Sequence, residues 1–149
     1  MKVFSFFIIK YKLLLLGASE NCMPLDIFSL SNRLEKLYPD ERVQNILDRY
    51  INHKSAFVRR AMICTIDSIG NDFARKNIEI LRSHLQDDDA WVSYDAIWAL
   101  SKLKGLSDND RVIIATLAKP YISYNKKELE ALKPANSSDY RAKMAAEAL

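Results

Sequence analysis

Along most of this chain apolar residues recur every three or four positions, the spacing of one buried stripe on a helix, and the strict alternation of half-buried strands is nearly absent. Over residues 24–38, Leu25, Phe28, Leu34, Leu37 and Tyr38 predict a first helix that stops before Pro39. Asp40 caps a second, in which Val43, Ile46, Leu47, Tyr50 and Ile51 fall at i, i+3, i+4, i+7 and i+8 until the polar break Asn52-His53-Lys54-Ser55. Residues 55–69 put Val58, Met62, Ile66 and Ile69 on one face and end at Gly70. Asn71 or Asp72 then opens a helix carrying Phe73, Ile78, Leu81 and Leu85.

The acidic run Asp87-Asp88-Asp89 supplies an N-cap and favourable charge for a helix over about 90–104, closed by Gly105. Another helix is expected over 108–118, with Val112, Ile113, Thr116 and Leu117. Residues 119–136 contain Pro120, Pro134 and several lysines, and read as a long connection with one turn of helix around 127–132. Ser137, Ser138 or Asp139 caps the last helix, in which Ala142, Met144, Ala145, Ala146, Ala148 and Leu149 are strong helix formers.

Composition agrees with an all-α chain. Only 3 Gly and 4 Pro are spread over 149 residues, whereas sandwiches and barrels need a turn signal every ~8–12 residues. A chain of this length that is 49% hydrophobic buries one sizeable core, so one domain is expected. The two cysteines, Cys22 and Cys64, are too few for a disulfide framework, and no Cys or His pair has zinc-ligand spacing. A reducing, cytoplasmic compartment follows as the expectation.

The N-terminus complicates that expectation. Residues 1–22 carry an early lysine, two apolar runs and the small residues Gly17, Ala18 and Ser19, and so resemble a secretory signal peptide. Lys10 and Lys12 split the apolar stretch into residues 3–9 and 13–16, and neither half spans a bilayer. Ser19, Glu20 and Asn21 before Cys22 argue against a lipoprotein. Three readings stay open: a start-site artefact or disordered extension with Met23 as the biological start, an export signal, or an N-terminal helix docked on the fold. The domain itself is placed at residues 23–149. Three lysines against Glu20 give residues 1–22 a charge of +2, leaving about +1 of the chain's +3 for the rest, a weak basis for nucleic-acid binding.

Laying residues 57–69 over 91–103, an offset of 34, matches Val58 with Val92, Met62 with Ala96, Ile66 with Leu100 and Ile69 with Leu103. A constant offset of this size, with two helices per unit, is the signature of a helical solenoid, in which hairpins stack because one alone cannot bury its apolar face. Val58-Arg59 with Gly70, and Asp89-Ala90-Trp91-Val92 with Ala96, Ala99-Leu100, Leu103 and Gly105, resemble the second helix of the HEAT repeat. Asp139-Tyr140-Arg141 followed by Ala145-Ala146-Glu147-Ala148-Leu149 looks like a third copy. The resemblance covers residues 40–149, best from 55 to 105. It departs at Ser93, which stands where the first copy has Arg59 and removes a salt bridge within the repeat that the resemblance implies.

That resemblance implies a monomeric, right-handed α-solenoid of about three HEAT-like hairpins. It implies a scaffold that binds a partner protein through concave helices starting near Phe57, Trp91 and Tyr140. Small bacterial inhibitors or immunity-type proteins are one form of it. On the helix over 90–104, Trp91, Asp95, Trp98 and Lys102 lie at i, i+4, i+7 and i+11, off the main apolar stripe and beside Tyr94. Through the 34-residue offset they correspond to Phe57, Ala61, Cys64 and Ser68. Either they form an aromatic groove for a partner, or Trp91 packs under a neighbouring hairpin and Trp98 fills a gap between layers. Arg59 and Arg60, with Arg49 and Lys54 close by, read as a basic patch for phosphate or acidic peptide, or as a solvated face or partners of acids in the next repeat.

The HEAT-like alkyl-purine DNA glycosylases suggest a second use, with Asp95 stabilising a cationic sugar and Trp91 packing on it; the near-neutral charge and small size oppose it. A phycobilin-attaching lyase subunit is a third likeness. His53 and His84, lone histidines near helix ends, suit solvated or capping roles, and Cys64 suits a small buried hydrophobe. No Gly-rich phosphate loop, nucleophile motif or His-Glu iron pair is present, so neither catalytic residue, cofactor nor metal is expected.

Overall fold

The computed structural model describes residues 2–21, 23–103 and 106–149, and the described residues are helical with no strand. The ending expected at Lys104 and Gly105 lies outside them, as does Cys22. The chain forms two compact units, Met1–Phe73 and Ala74–Leu149.

In the first unit, α1 (Lys2–Ala18) and α2 (Pro24–Glu35) are joined by a short loop and pack on each other, as do α3 (Glu41–Tyr50) and α4 (Ala56–Ile69). The two hairpins meet mainly through their second helices, α2 on α4. Residues 2–18 therefore belong to the packed unit: Phe6, Ile9, Leu13 and Leu16 of α1 are buried with Ile27, Leu30 and Leu34 of α2. Gly17 permits close packing here, because a Cβ on it would lie 3.0 Å from His53 Cε1.

Local chemistry sets most ends. Pro24 occupies the first turn of α2, where its missing N–H costs nothing. Asp40 Oδ1 accepts the Arg42 N–H at 3.1 Å to start α3. Gly70 follows α4 at φ 114°, ψ 176°, a backbone region open essentially to glycine alone, and no neighbour crowds its missing Cβ.

The buried face of α2 differs from the expected stripe. Leu25 and Phe28 are exposed and Leu34 is buried with Ile27, Leu30 and Ser31. Packing against α4 selects the side on which the small Ser31 can approach, its Oγ lying 3.0 Å from Ser68 Oγ. The helix also ends earlier, at Glu35, before the turn that leads to Pro39.

The units join within α5 (Asn71–Lys76), which is separate from α6 (Ile78–Ser83). One continuous helix was expected, but Phe73 and Ile78 are five residues apart and off the helical period. Asn77, at φ −107°, ψ 23°, breaks the helix, and Ile78, Leu81 and Leu85 then resume at i, i+3 and i+7.

The second unit pairs α6 with α7 (Ala90–Ser101) and α8 (Asp108–Ala118) with α10 (Ser137–Glu147), and again the second helices pack together, α7 on α10. The short α9 (Lys126–Ala131) leans on α10. Asp89 accepts the Trp91 and Val92 N–H groups at 3.0 and 3.1 Å, so the acidic run does cap α7. Reciprocal capping boxes open α8 (Ser107 with Asp110) and α9 (Asn125 with Glu128). The cap of α10 is Asn136, one residue before the three candidates read from the sequence, because its Oδ1 reaches the Asp139 N–H at 3.1 Å. The described residues thus hold two hairpins in each unit. Val58, Met62 and Ile66 are fully buried in one unit, as are their 34-residue counterparts Val92 and Ala96 in the other, with Leu100 nearly so.

Candidate interaction surface

Helix α7 is apolar nearly all round, so its faces are distinguished by what packs on them. Val92, Ser93, Ala96, Ile97, Ala99 and Leu100 point into the second unit. Trp91, Tyr94, Asp95, Trp98 and Lys102 fall outside that set, with Trp91, Tyr94 and Asp95 half-buried and Trp98 44% exposed.

Two of these aromatics meet a third from another helix. The Trp91 ring lies 5.6 Å from Tyr94, edge-on at 73°, and 5.2 Å from Tyr140 of α10 at 33°. Such offset and edge-to-face contacts suit the ring quadrupoles, and they make Trp91 the centre of a small aromatic group whose outer member, Tyr140, is exposed. Two turns along α7, Trp98 stands in solvent with Lys102 Nζ 4.7 Å from its ring centre, a cation–π contact.

The remaining candidates belong to the first unit. Phe57 is half-buried, and its companions differ from those of Trp91: Ala61 is fully buried, Cys64 is half-buried, and Ser68 contacts Ser31. Arg59 is committed to backbone, with Nη1 donating to the His53 and Lys54 carbonyls at 3.0 and 3.1 Å in the turn between α3 and α4. Arg60 is half-buried. His53 Nδ1 accepts the Ser55 N–H at 3.1 Å. His84, expected in a solvated or capping role, is the C-terminal cap residue of α6; it is 4% exposed and contacts the Ile80 carbonyl and Ser83 Oγ at 2.9 and 3.0 Å.

Two polar arrangements in the second unit were not foreseen. Asp110, 1% exposed at the start of α8, accepts from the Ser107 N–H at 2.9 Å and from Arg82 Nε of α6 at 3.1–3.2 Å. Burial pushes its carboxyl up, but the Ser107 and Arg82 hydrogen bonds and the arginine charge outweigh burial and hold it below its usual value. The Ser107/Asp110 spacing is a readable capping signal; the pairing with Arg82 is not. Near the start of α10, Tyr121 is stacked edge-on to Tyr124 at 5.4 Å, and burial together with Asp139 and Tyr124 raises its hydroxyl pKa.

Among the described residues no three His, Cys, Asp or Glu side chains converge as a metal site, and no helix is long and apolar enough to cross a membrane. The arrangement on α7 and α10 offers large rigid rings, a cation and hydroxyls rather than a nucleophile with its base. Compared with family models, with curated proteins and with solved structures, the chain matches none.

Proposed function

We propose that the chain is a right-handed α-solenoid of HEAT-like hairpins that works as a protein-binding scaffold, in the manner of an adaptor or small inhibitor. The solenoid reading is supported by the stacking of hairpins through their second helices within each unit and by the matching burial at an offset of 34 residues.

The single observation that carries the binding reading is Trp98, nearly half exposed beneath Lys102 and one turn beyond Tyr94 of the Trp91–Tyr94–Tyr140 group. Exposing a large ring forfeits the burial that normally justifies it, and aromatic residues with few rotatable bonds are favoured anchors of interfaces. In this reading Trp98 and Tyr140 are the anchors, Trp91 and Tyr94 support them, and Asp95 and Lys102 supply charge at the rim.

The test is affinity capture from nuclease-treated lysate with the full chain, compared with a Trp98→Ala/Tyr140→Ala variant of unchanged melting temperature. A near-stoichiometric protein held by the first and lost by the second supports the scaffold. Nucleic acid recovered without nuclease, with retention on heparin that collapses in salt, would replace it with the glycosylase-like alternative centred on Asp95.

A further inference from the structure

Helix α1 is apolar on two sides. Phe6, Ile9, Leu13 and Leu16 face the core of the first unit, while Phe7, Tyr11, Leu14 and Leu15, at i, i+4, i+7 and i+8, form a second stripe that is 71, 58, 70 and 54% exposed. Scattered exposed apolar residues are ordinary, but a continuous stripe of four large ones marks a face that meets something other than water. The charged residues of α1 are lysines only.

Both flanks of the stripe add to this picture. On one side Phe7 and Lys10 border a cleft of about 410 Å³ lined also by Phe6, Arg42, Arg49 and Tyr50. Arg42 pairs with Asp40 at 2.7 Å and stacks 4.1 Å over Phe6, so Lys10 and Arg49 give the cleft its positive character. On the other side Tyr11, Lys12 and Leu15 border an apolar groove of about 440 Å³ with Leu30 of α2, where Asp26 is the acid. Lys12 Nζ reaches Ser29 Oγ at 3.0 Å.

We propose that this face docks flat on an anionic phospholipid bilayer. A helix of 17 residues is about 25 Å long and lies in the interfacial plane rather than across it. Phe7, Leu14 and Leu15 enter the acyl boundary, Tyr11 keeps its hydroxyl among the headgroups, and Lys10 with Arg49 meets the phosphates. Between its two flanking recesses the stripe itself is made of the chain's own projecting side chains, Phe7 and Leu14 the most exposed. A fluid apolar phase accommodates such projections without matching pockets. The basic character of α1 and of the cleft selects negative over zwitterionic lipid.

Co-sedimentation of the full chain with vesicles of phosphatidylcholine alone, or of phosphatidylcholine with phosphatidylglycerol, tests this. The chain is expected in the pellet only with phosphatidylglycerol. Lys10→Glu should weaken binding on the order of tenfold through its charge, and Leu14→Asp on the order of tenfold through lost insertion. Both positions are exposed, so the melting temperature should hold. Val112→Ser, which trims a 65% exposed side chain on α8, should leave binding unchanged. Absence from the anionic pellet, or pelleting indifferent to both α1 substitutions, overturns the proposal. So does a dimer in light scattering that Leu14→Asp converts to monomer, which would assign the face to a second copy.

Discussion

Ser93 Oγ donates to the Leu85 carbonyl at 2.6 Å, with both residues fully buried. In the other unit the residue 34 positions earlier, Arg59, ties the second helix of its hairpin to the preceding turn through the His53 and Lys54 carbonyls. The same mechanical link is made once by a short buried hydroxyl and once by a long guanidinium. Ser93→Ala should therefore cost about 1–3 kcal/mol, because it orphans a buried carbonyl. Ser93→Arg, which copies the side chain found 34 positions earlier, should cost more, since Ser93 is fully buried. Urea titration of both variants by circular dichroism checks the order.

The Arg82–Asp110 pair should govern the acid limb of stability. Asp110 holds its proton less readily folded than unfolded, so its contribution is complete above the ordinary carboxylate range, near pH 4, and is lost as pH falls through the lower folded value. Asp110→Asn should lower stability at neutral pH by about 2–3 kcal/mol and flatten the decline on acidification. Thermal melts of both proteins between about pH 6 and pH 3 measure this.

The two tryptophans should separate by spectroscopy and by stability. In Trp91→Phe, the remaining Trp98 should be quenched more strongly by iodide than by caesium, since Lys102 lies over its ring. Trp98→Ala should change stability by no more than about 1 kcal/mol. Trp91→Ala should cost more, through loss of its contacts to Tyr94 and Tyr140.

Gly70 is expected to resist substitution despite open space around it. Gly70→Ala should cost about 1–3 kcal/mol from backbone strain alone. Thermal melts check it, and a melting temperature unchanged by Gly70→Ala would remove conformation as the constraint.

Much of the helical layout is legible in the sequence because it is written locally. Asp40, Asp89 and Gly70 sit at helix ends for reasons contained within a few residues, and α8 spans the expected 108–118. What escapes is whatever a distant partner decides. Residues 24–35 carry apolar side chains on more than one side, so only contact with α4 chooses Ile27 and Leu30 over Leu25 and Phe28. The same ambiguity hides α1: its two apolar stripes merge into a run that resembles a leader, and nothing local says that Phe6 is buried and Phe7 exposed. The candidate surface shows the same limit. The spacing of Trp91 and Trp98 was readable, but the meeting of Trp91 with Tyr140 spans 49 positions and depends on α7 packing against α10.

The hairpin-on-hairpin packing of each unit also sets how the chain reaches its native state. The main contacts join helices no more than three apart in sequence, so most loop closures are short and the entropy lost before contacts form is modest. Chains with such local topology cross their folding barrier in microseconds to milliseconds. The first four helices can therefore assemble while the last are still being synthesised, at roughly 5–20 residues per second. The apolar outer stripe of α1 would then be presented to its surroundings before translation ends.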